Sequence, residues 1–216
     1  MPENDLQTIF DQVLLQMQDL PEKQQQILKA SLDLFAEKGF DKTSTAEIAA
    51  KAHVAQGTVY RRFKSKQDLL AAVLTPILTE VFPRAVQEFA GQNLNRDYDD
   101  LEQLLNIVVL DRLAFIQANH KVLKIIFAQV LTDPQMLSLL KEKFIDTIIV
   151  QAEKPIRILQ AKKQLVDWPA PRILSLVAAS IFTVAIRMML FPSSKIDLAS
   201  ESHYLVIFLS KALSNS

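Results

Sequence analysis

The chain reads as all-α, with an N-terminal three-helix unit of helix-turn-helix type ahead of a larger helical domain. Three observations lead there. Apolar residues recur three and four apart through nearly all of the 216 residues, and no stretch alternates as a strand does. Serine caps with an acidic residue three positions later, Ser44 with Glu47 and Ser65 with Asp68, mark helix starts. Only three glycines are present, which leaves few sites for tight hairpins or phosphate-cradling loops.

The first twenty residues place Leu6, Ile9, Phe10, Val13, Met17 and Leu20 at helical spacing. Glu3, Asp5, Asp11, Asp19 and Glu22 give this segment a charge of −5 up to residue 22, before any lysine or arginine. Phosphate would repel such an arm, so residues 1–21 are expected to form an amphipathic helix packed on protein. It either covers an apolar patch or limits how the neighbouring unit swings.

The next helix is expected from Glu22 to Lys38, with Ile27, Leu28, Leu32, Leu34 and Phe35 as its apolar stripe. Gly39 should take a positive φ at its end, with Phe40 folding back on the last turn. Ser44 and Glu47 then form a capping box that starts a short helix at residue 45. Ile48 faces inward, and Ala49 and Ala52 are small enough to let a following helix cross closely. His53-Val54-Ala55 is the turn, and a second short helix runs from Gln56 to Phe63 with Val59 and Phe63 buried. Its N-terminal end and polar face are left free for a DNA major groove. Between Phe40 and Lys66 six lysines and arginines face two carboxylates, a local charge of +4 on a chain of net charge zero.

The segment ILKASLDLFAEKGFDKTSTAEIAAKAHVAQGTVYRRFKSKQDLL, residues 27–70, resembles the DNA-binding domain of the TetR/AcrR family of bacterial transcriptional regulators. The matching features occur in order: Gly39-Phe40, Ile48-Ala49, Gly57-Thr58-x-Tyr60-x-x-Phe63 and Ser65-Lys66-x-x-Leu69. By position, the resemblance implies phosphate contacts from Thr43, Ser44 or Thr45, from Tyr60, and from Lys64 and Lys66. Base reading would fall to Gln56, Gly57, Thr58 and Arg61. Two departures matter. His53 stands where the family usually has glycine, an exchange histidine tolerates at positive φ. Ala55 replaces a frequent serine and cannot cap the second helix, a loss of roughly 1 kcal/mol.

Beyond Leu70, helices are expected at 66–90, 98–118, 120–131, 134–164, 170–191 and 197–213. Breaks fall at Gly91-Gln92-Asn93, Asp133-Pro134, Asp167-Trp168-Pro169 and Phe191-Pro192. Pro76, Pro83 and Pro155 should kink or split the helices that hold them. The domains are thus 1–21, an acidic extension; 22–66, the DNA-binding unit; and 67–216, a ligand-binding and dimerisation domain. Ile173–Phe191 is apolar enough to suggest a membrane span, but Arg187, the missing aromatic belt and the DNA motif favour a helix buried on two sides. The resemblance implies that this helix and the last one, with Leu198, Tyr204, Leu205, Ile207, Phe208 and Leu209, form the interface of a homodimer. Two recognition helices would then lie about 34 Å apart on a palindromic operator.

Polar residues on apolar stripes give the only clue to a ligand. Arg112, Gln129, Thr183 and Arg187 either bond to other side chains or orient a small, mostly apolar effector amid Phe115, Phe127, Phe144 and Phe182. The chain has no cysteine, which excludes disulfides and thiolate metal sites and favours a cytoplasmic home. His53, His120 and His203 have no metal-binding spacing, and no nucleophile motif appears. No metal, cofactor, membrane partner, enzymatic activity or secretory leader is expected. The function implied is a ligand-responsive repressor. The alternatives are an activator without a natural inducer, or a small-molecule or lipid carrier with a vestigial helix-turn-helix.

Overall fold

A computed structural model describes residues 5–96, 98–191 and 196–215. Among these residues there is no strand, and the all-helical class holds. Contacts gather the chain into two compact units, one of residues up to Ala85 with Lys121–Phe144, the other of Val86–His120 with Ile145 onward.

In the first unit, α1 (Leu6–Gln16) buries Leu6, Ile9, Phe10 and Val13 of the expected stripe, and Leu14 besides. Asp5 caps it by accepting from the Gln7 amide at 3.3 Å. The acidic face turns outward to basic neighbours: Asp11 pairs with Lys29 at 3.4 Å. Met17 and Leu15 project into solvent, so the buried run ends at Leu14. Glu3 lies outside the described residues.

α2 (Glu22–Lys38) is the central support, with Ile27, Leu28, Leu32 and Phe35 at most 3% exposed. Gly39 adopts φ 84° and ψ 158°, a region essentially restricted to glycine, and the Phe40 ring returns to within 5.3 Å of Phe35. α3 (Thr45–Lys51) packs on it and α4 (Gln56–Arg62) packs on α3, with Ile48, Ala49, Val59 and Phe63 buried. Side chains the size of Ile48, Val59 and Phe63 each stabilise by about 1.5–3 kcal/mol on full burial. Ala49 and Ala52, both 3% exposed, sit at the close crossing.

α5 (Lys66–Pro76) begins at Ser65, whose hydroxyl accepts from the Asp68 amide at 3.0 Å. Pro76 and Pro83 do not split the helix. The chain passes through a π-helical segment (Ile77–Val81), α6 (Phe82–Phe89) and a second π-helical segment (Ala90–Leu94) as one run of 29 residues. Widening to bonds five residues back, as from the Phe82 amide to the Ile77 carbonyl, absorbs the misfit beside the prolines. Likewise Gly91-Gln92-Asn93 does not end the helix; the Asn95 amide reaches the Ala90 carbonyl at 3.2 Å.

α7 (Leu101–Val130) corrects the break expected near residue 119. Asn119 donates its side-chain amide to the Phe115 carbonyl at 2.8 Å, one turn back, so the polar Asn-His pair sits on a continuous ladder. Asp133 caps α8 (Pro134–Leu140) as its Asp-Pro sequence predicts, and a third π-helical segment (Lys141–Ile145) leads into α9 (Asp146–Ala161). Pro155 lies inside α9 without dividing it.

The second unit has its own core. Val109 and Leu113 of α7 meet Ala152, Ile156 and Leu159 of α9, Ile181, Val184 and Met188 of α10 (Ala170–Leu190), and Val206 and Leu209 of α11 (Leu198–Leu213). α10 is long and apolar enough to cross a bilayer, yet only 33% of its apolar window is buried. Its outward face, Leu176, Phe182, Ile186 and Leu190, and that of α11, Tyr204, Ile207 and Phe208, are 39–69% exposed.

Candidate nucleic-acid interface

The geometry of α3 and α4 follows from local chemistry. Glu47 closes the capping box: the Ser44 amide donates to Glu47 Oε2 at 2.8 Å, and the Glu47 amide donates to Ser44 Oγ at 3.2 Å. Lys38 adds an ion pair at 2.6 Å. This Lys38 bond, with help from the Ser44 amide and hydroxyl, holds the Glu47 carboxyl at a pKa of about 2. His53 takes φ 53° in the turn, as expected of the residue in the family's glycine position. Ala55 makes no side-chain cap, and α4 begins with a bond from the Thr58 amide to the Ala55 carbonyl at 2.8 Å.

Gln56, Gly57, Arg61 and Arg62 are exposed and Thr58 is half-exposed, while Val59 is buried beneath them. Arg61 is aimed along the helix by a bond from Nη2 to Thr58 Oγ1 at 3.2 Å. The Thr45 and Tyr60 hydroxyls, fifteen residues apart, meet at 2.8 Å, which pins the exposed Tyr60 ring between the two helices. Thr45 and Tyr60 thus bring two hydroxyls together beside α4, and Ser44 and Lys64, just before α3 and just after α4, are exposed.

Two residues of the expected phosphate set are engaged by backbone carbonyls of the same unit. Thr43 is 2% exposed, and its hydroxyl is taken by the Leu34 and Gly39 carbonyls at 3.2 and 2.9 Å. Lys66 is half-buried, with its ammonium on the Phe40, Asp41 and Thr43 carbonyls at 2.8, 3.4 and 3.0 Å. Lys51 is also engaged, with Asp33 at 2.9 Å. Lys42, Arg62 and Lys64 form no ion pair among the described residues, so the usable positive charge is smaller and more focused than composition suggests.

The eight candidate effector residues are divided between the units. Phe127, Gln129 and Phe144 are half-buried in the first, where the Phe144 ring lies tilted 4.9 Å from that of Phe82. In the second, the Arg112 guanidinium is sandwiched 3.8 Å from Phe89 and 4.8 Å from Phe115. It donates from Nε to Asp111 Oδ2 at 2.8 Å, and Asn93 donates to the other Asp111 oxygen at 3.4 Å. Burial pushes the Arg112 pKa down, and Asp111 opposes the shift. Phe182, Thr183 and Arg187 face outward because Ile181, Val184, Ala185 and Met188 take the core side of α10. Thr183 donates to its own helix at the Ser180 carbonyl, 2.7 Å, and Arg187 pairs with Glu201 at 2.7 Å. Asp111, Asn93 and Phe89 are the residues sequence reasoning missed; the adjacent Asp111-Arg112 charges were the available signal. Among the described residues no cluster of histidine and carboxylate side chains could hold a metal ion.

Residues 27–73 match the model of bacterial regulatory proteins of the tetR family. The chain is 33% identical over 99 residues to the helix-turn-helix transcriptional regulator YvdT of Bacillus subtilis, covering 46% of this chain and 47% of that protein. It is 36% identical over 85 residues to a helix-turn-helix transcriptional repressor of Mycobacterium tuberculosis, 39% of this chain and 45% of the relative. The chain thus spans less than half of either relative's length. The transcriptional regulator FadR of Bacillus subtilis, solved in complex with stearoyl-CoA, shares the fold at a TM-score of 0.60 and 17% identity over 86% of this chain and 96% of that one. With the capping box, the positive-φ turn and the exposed face of α4 in place, residues 27–73 have the helix-turn-helix that the model of bacterial regulatory proteins of the tetR family describes.

Proposed function

We propose that the protein is a homodimeric, cytoplasmic transcriptional repressor that leaves a palindromic operator when a small, mostly apolar molecule binds within residues 67–216. The carrying observation is the exposed polar face of α4, backed by the buried Val59 and Phe63, with the Thr45–Tyr60 hydroxyl pair beside it and Ser44 and Lys64 exposed. In this reading the hydroxyls and Lys64 bind phosphates and set the register. Gln56, Gly57, Thr58 and Arg61 then read base edges, with Gln56 suited to adenine and Arg61 to guanine.

The dimer reading rests on the apolar faces of α10 and α11. Seven large side chains from Leu176 to Phe208 stand 39% exposed or more. Such a patch is rarely left to water, and a second copy covers it symmetrically. The effector reading centres on Arg112 and Phe115, a buried charge among rings, and is supported by the stearoyl-CoA complex of FadR. A coupling of 1–3 kcal/mol, usual for allostery, lowers operator affinity about 5- to 150-fold. An activator would bind its site in every metabolite extract alike.

Selection of duplexes from a random-sequence library at near-physiological salt, followed by footprinting, tests the reading. The expected result is a palindrome with half-sites about one helical turn apart. Enrichment of no sequence over many rounds refutes it and favours the carrier alternative.

A further inference from the structure

Lys66 and Thr43 are spent on backbone carbonyls rather than presented to solvent. The Lys66 ammonium meets the Phe40, Asp41 and Thr43 carbonyls at 2.8, 3.4 and 3.0 Å and lies 4.3 Å from the centre of the Phe40 ring. An ammonium has three N–H donors, and three carbonyls receive them. It stands at the first residue of α5, the positive end of that helix, where a cation is disfavoured unless acceptors surround it. The acceptors come from the chain just beyond α2, whose terminal carbonyls form the negative end of that helix. Thr43 completes the arrangement from inside, its buried hydroxyl shared by the Leu34 and Gly39 carbonyls while its amide donates to the Phe40 carbonyl at 3.2 Å.

We infer that Thr43 and Lys66 are positioning residues of the DNA-binding unit, fixing residues 39–43 so that Ser44 and Thr45 open α3 at a set place beside Tyr60. The inference rests on the DNA-binding reading above for its consequence, though not for its structural core. Residues 39–43 contain a glycine at φ 84° and no regular hydrogen-bond ladder. Without the two side chains this segment has few bonds to hold it, and the Thr45–Tyr60 pair loses its fixed partner. Phosphate contact on this side then belongs to Ser44, Thr45, Tyr60 and Lys64.

Arginine distinguishes the two roles. At a phosphate it preserves or improves the contact, whereas its planar fork cannot direct three N–H groups from one atom at three converging carbonyls. The full-length Lys66→Met, Lys66→Arg and Thr43→Val variants are compared with Lys64→Met by amide hydrogen exchange and by binding to the duplex selected by the wild type, across a salt series. All work is done well below the melting temperature. Exchange over residues 39–47 is expected to rise at least about 10-fold in the first three, with about 10-fold weaker binding and an unchanged salt slope. Lys64→Met should leave exchange unchanged and reduce the slope by about 0.9, one phosphate's share. The inference is overturned if Lys66→Met shows wild-type exchange and a slope reduced by about 0.9 that Lys66→Arg restores. It is equally overturned if the variants melt earlier but exchange and bind as the wild type does. Should the wild type bind no duplex, the DNA-binding reading fails, and exchange over 39–47 alone decides this one.

Discussion

Glu47 ties three things together: the start of α3, the end of α2 through Lys38, and the register of Ser44. Its carboxyl, lowered from 4.5 to about 2, stabilises the folded state fully above the unfolded value and loses that effect as pH falls from about 4.5 toward 2. Glu47→Gln should therefore melt below the wild type at pH 6, and the gap should close as pH approaches 2. A pH series of melting temperatures checks this, and a constant gap contradicts it. Ala55 offers a gain instead. Serine there can accept an amide of the first turn of α4, worth about 1 kcal/mol, so exchange in Gln56–Arg62 should slow about 5-fold. Arg112 is the opposite case. Arg112→Met removes the guanidinium between Phe89 and Phe115 and leaves the partly buried Asp111 without its cation, so urea unfolding should show a loss of about 2–3 kcal/mol. At this scale the sequence revealed bonds between near neighbours, such as Ser44 with Glu47. It hid Lys66, whose long stem reaches carbonyls 23–26 residues back.

The elements were legible where caps and stripes agreed. α2, α3 and α4 sit where their spacing put them, because each buries one clear face, and α3 also starts at a recognisable capping box; α1 is shorter than its apolar spacing suggested and ends at Gln16. Elements were misread where a local breaker met a strong tertiary demand. Pro76 is carried by a π-helical segment because Ile77, Leu78 and Val81 are fully buried, and Asn119 is held to its own helix by a side-chain bond. α10 was hardest, since a helix apolar on all sides does not say which way Thr183 and Arg187 point. α1 gives the firmest prediction here. Phe10 is fully buried, and α1 also holds Arg84, which donates to Gln16 at 2.7 Å. Phe10→Ala should destabilise the protein by about 3–5 kcal/mol in urea unfolding. A loss below 1 kcal/mol contradicts the packing described.

For the whole molecule, net charge and composition say little, and placement says more. Zero net charge conceals a small cationic rim at α4, with Lys51 and Lys66 already engaged by the protein. The exposed faces of α10 and α11 predict a dimer. Phe208→Glu should yield a monomer by sedimentation, with the helical content unchanged and operator affinity sharply reduced. The central claim is that α4 reads DNA, and binding of the wild type and of Arg61→Ala to the selected palindrome and to a scrambled duplex tests it most directly. The account predicts that the variant loses about 1–3 kcal/mol on the palindrome, roughly 5- to 150-fold, and far less on the scrambled duplex. Equal binding of both proteins to both duplexes would show that this face carries no sequence information.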